Sequence, residues 1–277
     1  MIRTSTQLKA KVHNLSGGDS RKAQTLIRSF IMERFLERVA LSQYHNNFVL
    51  KGGMLVANLV GLDTRATMDI DATVKALTLT KENAVNVIED IISLELPDGI
   101  RFRITKVEDI MEEHDYPGIR LTMETTLDKM RQAIKIDIST GDVITPDAVE
   151  YDYRLMFEDR AISLWTYNLE TLLAEKLETI MARSTANTRM RDFYDIHVLS
   201  NQASVDTDIL KQAFLATSRK RNTEHLIHDF KDVLQSVEED ETMWRLWDRY
   251  RADSFFVGDL EWTVVMHSVR KLAECVI

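Results

Sequence analysis

Between Phe102 and Ile138 apolar residues alternate with polar ones, and from Asn168 onward they recur at helical spacing instead. Alternation sends successive side chains to opposite faces of a strand, so it predicts half-buried strands. Three stand out: Phe102, Ile104 and Val107; then Ile119, Leu121 and Met123 after a Pro117-Gly118 turn; then Ile134, Ile136 and Ile138. Phe48-Val49-Leu50 and the stretch from Asp69 to Val74 add two more, for a sheet of about five strands. Helical periodicity marks 20–44 (Leu26, Phe30, Ile31, Phe35, Val39), 54–60 and 80–94 (Ala84, Ile88, Ile91). It then marks 168–184, 190–200, 205–218, 223–238, 240–252 and 257–275. The chain reads as α+β, a sheet flanked by helices followed by a helical C-terminal half. Composition shifts across 150–165, which places a domain boundary between 1–160 and 161–277.

Composition narrows the classes. The 277 residues, 44% hydrophobic and 29% charged, suit an ordinary soluble chain of one or two domains. One cysteine, Cys275, allows no internal disulfide, and a cytoplasmic location is expected. Cys275 falls in an apolar run with Leu272, Ala273, Val276 and Ile277 and reads as packing. No leader and no membrane-spanning run is apparent. A net charge of −9 argues against broad nucleic-acid binding and leaves room for a local basic patch. The seven histidines, His114 among them, show no metal-ligand spacing; His225 and His228 lie three apart with no second pair. Trp244 and Trp247, with Leu246 and Tyr250, read as core anchors. Arg219-Lys220-Arg221 reads as a helix end, with RNA contact as the alternative.

Chemistry concentrates in two places. Gly52 and Gly53 separate a strand from a helix, where backbone can approach a phosphate closely and unpaired N–H groups face it. Asp69 and Asp71 alternate along a strand and share a face, so their charges repel unless a cation resolves them. Mg²⁺ suits such oxygen donors, and solvated aspartates are the plainer reading. Asp137 alternates with Ile136 and Ile138; on a neighbouring strand it would complete a three-carboxylate site or act as base toward an attacking hydroxyl. Otherwise it is a polar strand position.

The helix from Asn168 carries a second signal. Leu169, Leu172, Leu173, Leu177 and Ile180 form one stripe, with Lys176 near its centre and Arg183 at its edge. A lysine there needs a carboxylate or a phosphate. Asp192 and Asp195 on the next helix offer the first, as a buried ion pair. In the other reading Lys176 and Arg183 bind a triphosphate and an aspartate orients them.

Lys51-Gly52-Gly53, Arg65-x-Thr67-x-Asp69-Ile70-Asp71, Ala174-Glu175-Lys176-Leu177 and Arg191-Asp192-Phe193-Tyr194-Asp195-Ile196 together resemble the AbiEii/AbiGii toxin nucleotidyltransferases of the DNA polymerase β-like superfamily. The resemblance implies a nucleotidyltransferase-like mixed sheet and Mg²⁺ or Mn²⁺ at Asp69 and Asp71, to which the strand alternation adds Asp137 as a candidate third ligand. It places an NTP near Lys51, Gly52, Gly53, Arg65, Thr67, Lys176 and Arg183, with Asp192 or Asp195 completing the site from the helical domain. It also implies a cognate antitoxin protein, a place in phage defence, and tRNA as an acceptor. Met54 departs from the family's small hydroxyl residue after Gly-Gly, which leaves backbone contacts to phosphate. A protein-modifying nucleotidyltransferase and a non-catalytic nucleotide-binding module are the alternatives.

Overall fold

A computed structural model describes residues 1–111 and 117–276; His114 and Ile277 lie outside the described residues. The chain divides into two compact units, one of Met1–Asn58, Ala66–Asp142 and Val149–Thr166, the other of Leu59–Arg65, Val143–Ala148 and Tyr167–Ile277.

The first unit holds β1 (Phe48–Lys51), β2 (Ile70–Val74), β3 (Ile100–Met111), β4 (Pro117–Leu127), β5 (Met130–Thr140), β6 (Val149–Arg154) and β7 (Ala161–Thr166). Among the described residues these seven form one sheet, in the order β3-β4-β5-β2-β1-β7-β6. The β2–β5 and β1–β7 pairs are parallel and the others antiparallel, so the sheet is mixed. Two corrections follow. The 150–165 stretch contributes two strands beyond the expected five, because Ile162, Leu164 and Thr166 alternate inward beside β1. Pro117 and Gly118 are not a turn: they pair with Met111 and Ile110 as the start of β4.

Helices α1 (Ser5–Ser16), α2 (Ser20–Leu41), α3 (Gly52–Val60) and α4 (Lys81–Ile92) accompany the sheet. Asp19 caps α2 by accepting from the Arg21 and Lys22 N–H groups. Phe35, Leu36 and Val39 of α2 share a small internal void with Leu50, Ile70, Ala72 and Ile136, so this is the buried face of the sheet. The arginines between those apolar residues are also buried. Arg38 donates to both Asp98 oxygens, at 2.8 and 3.0 Å, and to the Leu94 and Ile100 carbonyls. That accounting lets a charge sit at 1% exposure.

The second unit holds α5 (Leu169–Arg183), α6 (Met190–Gln202), α7 (Thr207–Lys220), α8 (Phe230–Glu239), α9 (Glu241–Asp253) and α10 (Trp262–Glu274). His225 and His228 fall in a 3-10 segment, Glu224–Asp229, that precedes α8. Trp247 is buried as expected, 5.8 Å from the Trp262 ring, and donates to the Leu260 carbonyl. Trp244 is not a core anchor; it is 46% exposed and its indole N–H donates to the Glu238 carbonyl. At ~100° per residue, Met243, Trp247 and Tyr250 cluster on one side of α9 and Trp244 falls beside them on the rim. Arg219 and Arg221 of the basic cluster are ion-paired, to Glu224 and to buried Glu178.

Candidate functional site

Strand register sets the first constellation. Lys51 lies opposite Asp71 on the β1–β2 pair, Asp71 opposite Asp137 on β2–β5, and Asp137 opposite Arg120 on β4–β5. Ile70, Ala72 and Ile136 face α2, so alternation turns this charged row to the other face. The order along it is cation, carboxylate, carboxylate, cation.

The cations do not spread evenly over the carboxylates. Arg120 grips Asp137 with two parallel bonds, Nε to Oδ1 at 2.7 Å and Nη2 to Oδ2 at 2.5 Å. Lys51 reaches Asp142, with Nζ 2.7 Å from Oδ2. Among the described residues neither Asp69 nor Asp71 has an ion-pair partner. Burial raises the Asp69 carboxyl above the usual carboxylate range, and the Asp137 and Asp71 charges push it the same way.

Gly52 explains why a glycine opens α3. Its φ of +65° is left-handed, and a Cβ built there would overlap the Asp71 carboxylate. Asp71 therefore lies against the backbone at the start of α3. Gly53 is buried in the first turn, and Met54 is buried in the core at 1% exposure. Thr67 donates to the Asp69 carbonyl at 3.4 Å. Two carboxylates without ion-pair partners, one of them against a helix start, suit a divalent cation and phosphate oxygens. Among the described residues no three His, Cys, Asp or Glu side chains are grouped so as to hold a metal ion, and Asp137 is bound by Arg120.

The second constellation lies within the second unit. Lys176 Nζ donates to Asp192 Oδ1 at 2.9 Å and Asp195 Oδ2 at 2.7 Å. Arg65 also grips Asp195, Nε to Oδ1 at 2.5 Å, and Arg189 Nε lies 2.8 Å from Asp192 Oδ2. The Tyr194 hydroxyl donates to the Thr64 carbonyl, anchoring the segment that carries Arg65. Burial by itself would raise both aspartates. The Lys176 and Arg189 charges nevertheless bring Asp192 down to about 2, and Arg65 and Lys176 lower Asp195. Three cations thus face two carboxylates, a positive surplus. Burial and then the neighbouring Arg189 charge lower Arg183, at the end of α5.

Three contributors escaped the sequence reading. Arg120 was visible as the polar residue between Ile119 and Leu121. Arg189 lies outside the α6 stripe. Asp142 follows Gly141 and reads as a turn.

The family that this chain matches is one of nucleotidyltransferases. The chain belongs to the family of nucleotidyl transferase AbiEii toxins of type IV toxin–antitoxin systems, whose model matches residues 34–273. No curated protein matches it. Among solved structures it is similar to JHP933 from Helicobacter pylori, with TM-score 0.49 and 16% identity over 91% of each chain. It is also similar to an antigenic nucleotidyltransferase-like protein from Paracoccidioides brasiliensis, with TM-score 0.40 and 15% identity over 84% of this chain and 94% of that one. Family membership implies an NTP substrate and an antitoxin partner. No helix among the described residues is long and apolar enough to cross a membrane.

Proposed function

We propose that this toxin transfers a nucleoside monophosphate from an NTP to an acceptor such as tRNA in the cytoplasm, with Mg²⁺ or Mn²⁺ at Asp69 and Asp71. The observation that carries the reading is that neither carboxylate has an ion-pair partner among the described residues, with Asp71 packed against Gly52. A bound divalent cation would neutralise the pair and draw in phosphate oxygens, with Asp137 as the third ligand.

The remaining roles belong to the chain's own groups. Backbone N–H groups of Gly52 and Gly53 receive phosphate oxygens at the start of α3, with Lys51, at the end of β1, and Thr67, ahead of β2, as further nucleotide-binding residues. The acceptor oxygen attacks the α-phosphorus, the bond to the β-phosphate oxygen breaks, and pyrophosphate leaves. Asp137 takes the acceptor proton if it does not serve as ligand. Within the second unit, taken by itself, Lys176, Arg65 and Arg183 are the proposed phosphate-binding cations, with Asp192 and Asp195 orienting Lys176 and Arg65.

The test is to incubate the purified chain with each labelled NTP, Mg²⁺ and cell extract. Label in RNA is expected, and none with Asp69→Asn or Asp71→Asn. Label in a protease-sensitive product would replace tRNA with a protein acceptor. NTP binding with no transfer would replace the enzyme with a binding module.

A further inference from the structure

Lys51 presents a problem for an acidic metal site. It stands directly opposite Asp71 on an antiparallel pair. Such cross-strand neighbours have Cβ atoms only ~5 Å apart, and opposite charges placed there attract. Left alone, the ammonium would fall onto Asp71 and neutralise it.

It does not, because a better partner is built beside it. β5 ends at Thr140, and Gly141, at φ +79°, turns the chain so that Asp142 returns toward β1. Asp142 Oδ2 accepts from Lys51 Nζ at 2.7 Å and from Ser139 Oγ at 2.8 Å. The Thr73 hydroxyl, which donates to the Ser139 carbonyl, also helps to lower this carboxyl. Lys51 and Asp142 are 9% and 12% exposed, so water screens the pair weakly. Burial alone would raise the Asp142 carboxyl, yet Lys51 and the hydroxyls hold it below the usual range. Asp71 meanwhile keeps no ion pair among the described residues.

We infer that Asp142 is a positioning residue that holds the Lys51 ammonium off Asp71 and so keeps the acidic pair open to a divalent cation. The inference rests on the reading of Asp69 and Asp71 as cation ligands. Asp142 touches neither cation nor nucleotide in this role; it acts through Lys51. A purely structural Asp142 would affect stability alone.

The two are separated by Mn²⁺ binding to the full chain without nucleotide, read from the free-Mn²⁺ electron paramagnetic resonance signal. Asp142→Asn should weaken Mn²⁺ binding about tenfold or more, because Lys51 then pairs with Asp71. Adding Lys51→Met should restore affinity to within about threefold of the unmodified chain. Unchanged binding in folded Asp142→Asn overturns the inference, and so does a loss that Lys51→Met fails to rescue. Should Asp142→Asn not fold, Ser139→Ala decides instead: it should weaken Mn²⁺ binding about threefold, reversed by Lys51→Met, and no change overturns the inference. Asp71→Asn serves as the separate control. If it binds Mn²⁺ normally, the ligand assignment itself has failed, whatever Asp142 does.

Discussion

Asp71 and Asp137 are register partners on parallel strands, and only Asp137 is neutralised within the described structure. The Arg120 guanidinium takes both oxygens of one carboxylate and leaves the other bare. A sheet that places two like charges side by side is destabilised there. Arg120 offsets half of that cost and leaves the other half available to a cation.

Removing Arg120 should transfer that burden to the metal. Arg120→Gln breaks a bidentate pair that is 33% and 12% exposed, which should cost about 1–2 kcal/mol, or a few degrees in Tm. Asp137 would then join Asp69 and Asp71 uncompensated. Mn²⁺ should raise the Tm of Arg120→Gln more than that of the unmodified chain, since ligand linkage scales with affinity. Thermal shifts with and without Mn²⁺ check this, and equal shifts would contradict it.

Gly52→Ala should be costly twice over. The left-handed φ of +65° strains any side chain by about 1–2 kcal/mol, and the new methyl would occupy the space of the Asp71 carboxylate. Chemical denaturation should show a loss of that order. Nucleotide transfer should fall by more than tenfold, because Asp71 must move for the methyl to fit. A variant with lowered stability and full transfer would show that Asp71 need not sit against Gly52.

Much of this was legible in the sequence because the strands around the site alternate cleanly. Ile134, Ile136 and Ile138 face inward as their spacing requires, which turns Asp137 to the opposite face. Lys176 likewise needed partners, and Asp192 and Asp195 supply them. What was not legible depends on pairing between distant segments. β7 alternates as well as β5 does, yet its place beside β1 comes from a parallel connection that leaves no local mark. Asp142 looks like any turn aspartate until Lys51, 91 positions away, is placed next to it. Arg120 and Asp137 acquire meaning only once β4 and β5 are in register.

The Lys176 cluster predicts an unequal response of its two aspartates. Asp195 is fully buried and accepts from both Arg65 and Lys176, whereas Asp192 accepts from Lys176 and has Arg189 alongside, a residue more than a third exposed. Asp195→Asn should cost about 3–5 kcal/mol, because two buried cations lose their common carboxylate. Asp192→Asn should cost less, since Arg189 can turn to solvent. Urea unfolding of both variants orders them, and a larger loss for Asp192→Asn would reverse the assignment of the central carboxylate.

Glu33 predicts the pH dependence of the first unit. It lies on α2 at 2% exposure and accepts from the Met156 N–H at 3.1 Å. Burial pushes its carboxyl up to about 8, with Glu158 and Glu37 adding to the rise and the Met156 N–H and Arg34 opposing it. The folded value is above the ordinary carboxyl value, so the folded chain holds this proton more tightly than the unfolded one. Its contribution to stability is complete below the ordinary carboxyl range and drains away as pH climbs through about 8. Glu33→Gln cannot ionise, and its carbonyl can still accept from Met156. Its stability advantage over the unmodified chain should therefore grow from about pH 5 and level off above about pH 9. Parallel Tm curves for the two across that range would mean that Glu33 is not held protonated in the folded chain.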